Sequence, residues 1–286
     1  MGIGRKYKMT LTVTPSDMAC GAQVRGLDLS KPVTTDLAAE IRDIWLKHQV
    51  LCFPEQNLSD DDLERFTLAF GPFGDDPFIA PIPGRKHIIA VKRAAGETSP
   101  IFAESWHSDW SFQVKPPQGT CLYGITIPPE GGDTLFVNQY KALAEMPEDL
   151  RRRIEGKKAV HSAKNAYSPK GMYGAGDKGR SMDIRASDEA EAANTHPFIR
   201  THPETGRESL FGCAGYIVGV EGMEQQEGWD LITEVYRWQT RPEFQYRHRW
   251  EKGMLLMWDN RCTLHMATGG YAGHDRLLHR TTIGSA

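Results

Sequence analysis

The sequence predicts an α+β, mainly β fold: an antiparallel double-sheet barrel backed by helices. Short apolar or alternating segments dominate the last part of the chain, while amphipathic helical patterns gather in its N-terminal third. No internal repeat or G-x-G-x-x-G loop points to a solenoid or a dinucleotide-binding sheet.

The elements follow in order. Leu37, Ile41, Ile44 and Trp45 recur at spacings of three and four behind Thr35-Asp36, which predicts an amphipathic helix. Val50 to Phe53 is a short apolar run ended by Pro54, and reads as a buried strand. Ser59 then caps a second helix carrying Leu63, Phe66 and Phe70, stopped by Gly71-Pro72. Residues 75–106 hold Pro77, Pro81, Pro83, Gly84 and Gly96 around one strand at Ile88 to Val91, so this stretch is expected to be mostly loop and to offer a lid. Pro147 to Gly156 has Pro at its first turn and Gly past its end, the signature of a compact helix. Residues 165–194, rich in Gly, Ser, Asp and Ala, are expected to be an insertion that is mobile without ligand. A helix at Trp229 to Trp238 is followed by strands around Tyr246 to Trp250, Leu255 to Trp258 and Arg276 to Ile283.

A chain of 286 residues, 40% hydrophobic and 25% charged, suits one domain over 9–286, with residues 1–8 a flexible terminus. The net charge of -3 gives no basic excess, which argues against nucleic acid or an anionic membrane as partner and favours a small molecule. Five scattered cysteines without a C-x-x-C pair fit a reducing, cytoplasmic setting, and no apolar stretch is long enough to span a bilayer.

His107-Ser108-Asp109 places an imidazole and a carboxylate two positions apart, on one face of an extended backbone. Two ligands placed in this way can reach one metal. His202-Pro203-Glu204 repeats the spacing but runs on into Thr205-Gly206 and reads as a turn. Arg276 and Arg280 lie four apart in a strand, so they share a face with stems about 13 Å apart. His279 falls on the opposite face, and His161, His196, His248 and His274 are expected to be exposed or core-bonded.

These residues, with Gly131-Gly132-Asp133-Thr134, Thr201 to Arg207, Tyr246 to Trp250 and Met257 to His265, resemble the TauD/TfdA family of Fe(II)- and 2-oxoglutarate-dependent dioxygenases from about Gly21 to Ile283. The resemblance implies a double-stranded β-helix, the jelly-roll or cupin-like core, with covering helices. It implies that His107, Asp109 and His265 bind Fe(II), that Arg276 and Thr134 hold the far carboxylate of 2-oxoglutarate, and that Trp258 and Ile125 line the cosubstrate pocket. It assigns Arg280 to an acidic group on the substrate, hence an anionic small molecule. The stretches matching the substrate contacts of the taurine-specific branch, Asp76 to Ile79 and Ala103 to Ser105, lack its His, Tyr and Asn. The C-terminal segments look closer to the aryloxyalkanoate-cleaving branch, and Trp106, Trp110 and Phe112 are placed to face a ring. The expected reaction is hydroxylation of a carboxylate with an aromatic or apolar part, with fragmentation where the hydroxylated product is unstable. The alternatives are an alkylsulfonate or sulfate-ester dioxygenase, desaturation or ring formation by the same chemistry, and a redox-inactive metal-binding jelly roll. A homo-oligomer is expected, with the 229–238 helix as a candidate interface.

Overall fold

The computed structural model describes residues 11–285; the terminus expected to be flexible, 1–8, lies outside them. The chain begins with strands β1 (Thr12–Pro15) and β2 (Ala22–Arg25), helix α1 (Thr35–His48), β3 (Val50–Phe53) and α2 (Asp60–Leu68). Then come β4 (Ile89–Arg93), β5 (Gly119–Thr126), β6 (Thr134–Asn138), α3 (Gln139–Ala144), α4 (Glu148–Ile154), β7 (Lys158–Ser162) and α5 (Lys164–Tyr167). The last part holds β8 (Ala193–Pro197), β9 (Ile199–Thr201), β10 (Glu208–Leu210), β11 (Ile217–Val220), α6 (Gln225–Gln239), β12 (Gln245–His248), β13 (Leu255–Asp259), β14 (Thr263–Ala267) and β15 (Arg276–Ile283).

The major sheet runs β1-β2-β3-β13-β5-β15-β4, antiparallel except for the β2–β3 pair, and a smaller sheet runs β12-β6-β14. Side-chain alternation explains why Val50 to Phe53 and Leu255 to Trp258 read as unbroken apolar runs. Leu51, Phe53, Leu255 and Met257 point to a cluster with Ile41 and Trp45 of α1 and Leu63 and Phe66 of α2. Val50, Cys52, Leu256 and Trp258 point the other way, onto Phe136 of the smaller sheet and Leu278. A strand covered on both faces needs apolar residues at every position. Thr34 caps α1, and Ser59 with Asp62 forms a reciprocal capping box at α2, which fixes where each helix starts.

The strand pattern of the middle of the chain was not legible: β7 to β11 are short, and most of them carry polar residues. Helix α6 buries Leu231, Ile232 and Val235 against this part of the molecule, so the face expected to meet a second subunit is used internally, and Trp229 is its exposed large apolar residue at 43%. No helix among the described residues is long and apolar enough to cross a membrane.

His161 and His248 are core residues. His161 sits 3.0 Å from Ser111 Oγ and stacks on Phe211; His248 meets Trp250 edge-on at 4.7 Å. Burial pushes both pKa values down to about 3. A histidine in the unfolded chain titrates near 6.5, so between about pH 6.5 and 3 the unfolded state holds protons that the native state refuses. Stability is therefore full above pH 6.5 and falls as the pH drops. Melting of the metal-free protein is expected to occur at progressively lower temperature from pH 7.5 to 5, and His248→Gln to flatten that slope; a pH-independent midpoint would contradict it.

Candidate active site

His107 and His265 come from distant segments but form an antiparallel bridge. The His107 amide donates to the His265 carbonyl at 3.0 Å and the His265 amide to the His107 carbonyl at 2.8 Å, setting the ring centroids 4.2 Å apart. The chain then turns through Trp110, whose backbone is left-handed at φ 48, an unfavourable place for a large side chain that its full burial enforces. Asp109, between the bridge and this turn, has its Oδ1 3.6 Å from His107 Nε2 and 3.7 Å from His265 Nε2. One ligand atom from each residue lies within 4.8 Å of the others, the reach of a single metal ion.

Neighbours hold each group in a ligating form. His107 Nδ1 donates to the Ser105 carbonyl at 2.8 Å, leaving the Nε2 lone pair facing Asp109. Asp109 Oδ2 accepts from Thr120 Oγ1 at 2.6 Å; Asn260 Nδ2 donates to that hydroxyl and Trp258 Nε1 to Asn260 Oδ1, each at 2.9 Å. Burial alone would raise the Asp109 pKa, but the charges facing it, with Arg280 the one that persists at neutral pH, outweigh burial and hold the carboxyl well below the usual carboxylate range. Burial, with His107 beside it, pushes His265 down to about 3, so its imidazole is neutral near pH 7. Two neutral imidazoles and a carboxylate are the donor set that suits Fe(II) with open positions. Thr120 carries no sequence signal; Asn260 lay within the Met257 to His265 segment but without an assigned role.

Arg276 is 5% exposed and has no carboxylate within ion-pair distance among the described residues. Its Nη2 donates to the Gly132 carbonyl at 3.1 Å and its Nε has no partner. Gly132 is needed there: its φ is +67 and a Cβ would lie 3.0 Å from Arg276 Nε. A buried guanidinium without a counter-charge is costly, so this position suits an incoming carboxylate. Thr134 on β6 accepts from Trp250 Nε1 at 2.9 Å, which leaves its hydroxyl proton to donate. Trp258 stands 4.8 Å from the His265 ring, inside the barrel.

Ile125 departs from expectation. The β5–β15 register slips between Leu277 and Leu278, and Ile125 lies against the helix-backed cluster, whereas Ile127 touches the interior one. Arg280 departs too: it reaches the site, stacks 5.1 Å over Trp110 and lies 3.5 Å from Asp109 Oδ1, but its Nη2 is already paired with Asp76. His202 donates from Nε2 to Asp259 at 3.0 Å, and Arg261 grips the same carboxylate through Nε and Nη2, a closed network at a chain corner. His279 is bonded to Asp60 at 2.7 Å on the outer face.

A cavity of about 290 Å³ opens beside the His–Asp–His cluster, lined by Phe102, Trp110, Tyr167, Tyr173, Tyr216 and Arg280 among others. Trp106 and Trp110 face it as expected, while Phe112 packs behind them, 5.0 Å from Tyr216. The 165–194 insertion, which had no visible periodicity, buries Tyr167, Tyr173 and Met182 over the site and meets the 75–106 loop where Tyr173 Oη accepts from the Ala103 amide at 3.1 Å.

The fold and this site define a non-haem oxidoreductase, an Fe(II)- and 2-oxoglutarate-dependent dioxygenase that uses O2. The family model described as "Taurine catabolism dioxygenase TauD, TfdA family" matches residues 12–282, and the chain belongs to that family. It is 32% identical to the alkylsulfatase of Acinetobacter baylyi over 92% of this chain and 81% of that protein. It is also 32% identical to the alpha-ketoglutarate-dependent 2,4-dichlorophenoxyacetate dioxygenase of Cupriavidus pinatubonensis, over 96% of this chain and 98% of that one. The crystal structure of a taurine dioxygenase from Burkholderia xenovorans superposes with a TM-score of 0.79 at 28% identity, covering 96% of this chain and 91% of that one. Near-equal likeness to proteins named for different substrates means that the substrate has to be read from the cavity.

Proposed function

We propose that the enzyme, as one domain, hydroxylates a small organic molecule with an aromatic or bulky apolar body and a polar end that meets Arg280. In this reading His107, Asp109 and His265 hold Fe(II), and Arg276 with Thr134 holds the far carboxylate of 2-oxoglutarate. The carrying observation is that two unmet demands share one barrel: three converging ligand atoms and a buried guanidinium without a counter-charge. Held by these residues, Fe(II) with 2-oxoglutarate would supply activation of O2, with the keto acid going to succinate and CO2 as one oxygen atom enters a substrate C–H bond. The chain's own part is positioning: the rings of Trp110, Tyr167 and Tyr216 hold the apolar body, and the two overlying loops exclude water. Where the hydroxylated carbon bears oxygen, sulfur or nitrogen, the product fragments. The acidic end that the resemblance implies is reconsidered below, because Asp76 already meets Arg280.

Anaerobic addition of Fe(II) and 2-oxoglutarate is expected to give the visible charge-transfer band of the chelate, and a compound panel scored by succinate release to identify bodies that fit. Absence of the band, with no succinate from any compound, overturns the assignment. Consumption of alkyl sulfates or sulfonates alone would refute the aromatic or bulky body.

A further inference from the structure

The inference rests on the reading that the cavity beside His107 and Asp109 takes the substrate, and concerns the charge of the substrate's polar end. Arg280 and Asp76 are both buried, with side chains 5% and 8% exposed, and form an ion pair. Asp76 is anchored in that role: its Oδ1 accepts from Trp110 Nε1 at 2.9 Å, and Thr282 Oγ1 reaches its two oxygens at 3.4 and 3.3 Å. Arg280 keeps donors to spare, since Nε has no partner and Nη1 only approaches Asp109.

Charge counting then discriminates. Among the described residues, Asp76, Asp109, Arg276 and Arg280 are the charged side chains that reach the ligand cluster, the cavity and the keto-acid position, and their formal charges sum to zero; Asp133, near Arg276, is paired with Arg247. Fe(II) and the dianion of 2-oxoglutarate also cancel each other, so the loaded site is neutral before substrate arrives. An anionic substrate would leave one uncompensated negative charge in a buried cavity beside two carboxylates, where like charges are costly. With a neutral residue in place of Asp76, the same site would carry one positive charge and an acid would complete it.

We propose that Asp76 converts the Arg280 position from an anion site into a site for an uncharged oxygen acceptor, so that the substrate presents a neutral polar end such as a carboxamide or alcohol. Arg280 donates to that oxygen, and Asp76 sets specificity without touching the reacting bond. Asp76 Oδ1 already accepts from Trp110 and Arg280, and Arg280 rather than Asp76 lines the cavity, so the end group meets donors there and is matched by an acceptor.

The test uses matched acid and amide pairs, phenoxyacetate with phenoxyacetamide and phenylacetate with phenylacetamide. Binding to the anaerobic Fe(II)–2-oxoglutarate enzyme is read by tryptophan fluorescence and by perturbation of the visible band. The wild type is expected to bind the amide of each pair at least about tenfold more tightly than the acid, and Asp76→Asn to bring the acid level with or above the amide. The wild-type comparison needs no variant and stands even if Asp76→Asn fails to fold. Acid bound as tightly as amide by the wild type overturns the proposal, as does failure to bind either member of both pairs. Loss of the band before any probe is added would instead count against the dioxygenase site itself, so the two failures are distinguishable.

Discussion

Replacing His265 with alanine is expected to lower substrate-dependent succinate release by more than about 100-fold, exceeding the ten- to hundredfold loss usual for an outer partner of a metal ligand. The reason is the small number of ligands: His107, Asp109 and His265 are the three groups that converge, and with one gone Asp109 has Arg280 at 3.5 Å as a competing partner. The fold should tolerate the change. The bridge that joins the two segments is made by the backbone of His265, and its ring makes packing contacts with His107, Trp258 and Phe136. Melting of the metal-free variant should therefore lie near that of the wild type, while anaerobic titration with Fe(II), or with Mn(II) as a stable surrogate, should show binding lost. Thr120→Val offers the graded comparison: it removes the donor to Asp109 Oδ2, and its deficit should be partly recovered by excess metal. Full turnover by His265→Ala would end the metal assignment.

How much of this could be read from the sequence depended on whether a residue's role was set by neighbours along the chain or across it. The helices at Thr35 and Ser59 and the strand Arg276–Ile283 were legible because caps and side-chain periodicity are local. The convergence of His107, Asp109 and His265 was legible because two of them sit in one short motif and the resemblance to the family ties the third, in the Met257 to His265 segment, to it. Ile125 was misplaced because a bulge between β5 and β15 decides which cluster it joins, and a register slip depends on the partner strand. Asp76 opened a stretch that matches substrate contacts in relatives, but its pairing with Arg280 was not legible, for a related reason. It is separated from Arg280 by most of the chain, and only the curl of the 75–106 loop against β15 makes them a pair. The 165–194 insertion looked structureless because its buried residues Tyr167, Tyr173 and Met182 stand too far apart in the chain to set up a recognisable period.

The second large effect is expected at Arg276. Arg276→Met should raise the KM for 2-oxoglutarate by about 30-fold or more, the consequence of removing one member of a buried charged pair at a cost of about 2 kcal/mol or more. Arg276→Lys should recover only part of this, because an ammonium lacks the planar fork that meets both oxygens of a carboxylate. A structural role predicts a different pattern. Were Arg276 chiefly a strut, its loss would lower the melting temperature; yet its protein partner is a lone carbonyl, that of Gly132, with Nε left unpaired in the interior. Without the keto acid that buried charge is a burden, so the metal-free, ligand-free Arg276→Met protein should melt at or above the wild-type temperature. The stabilisation that 2-oxoglutarate gives the wild type should vanish in the variant, since a ligand stabilises a fold only in proportion to its affinity for it. An unchanged KM together with an undiminished thermal shift by 2-oxoglutarate would place the far carboxylate elsewhere and detach Arg276 from the cosubstrate.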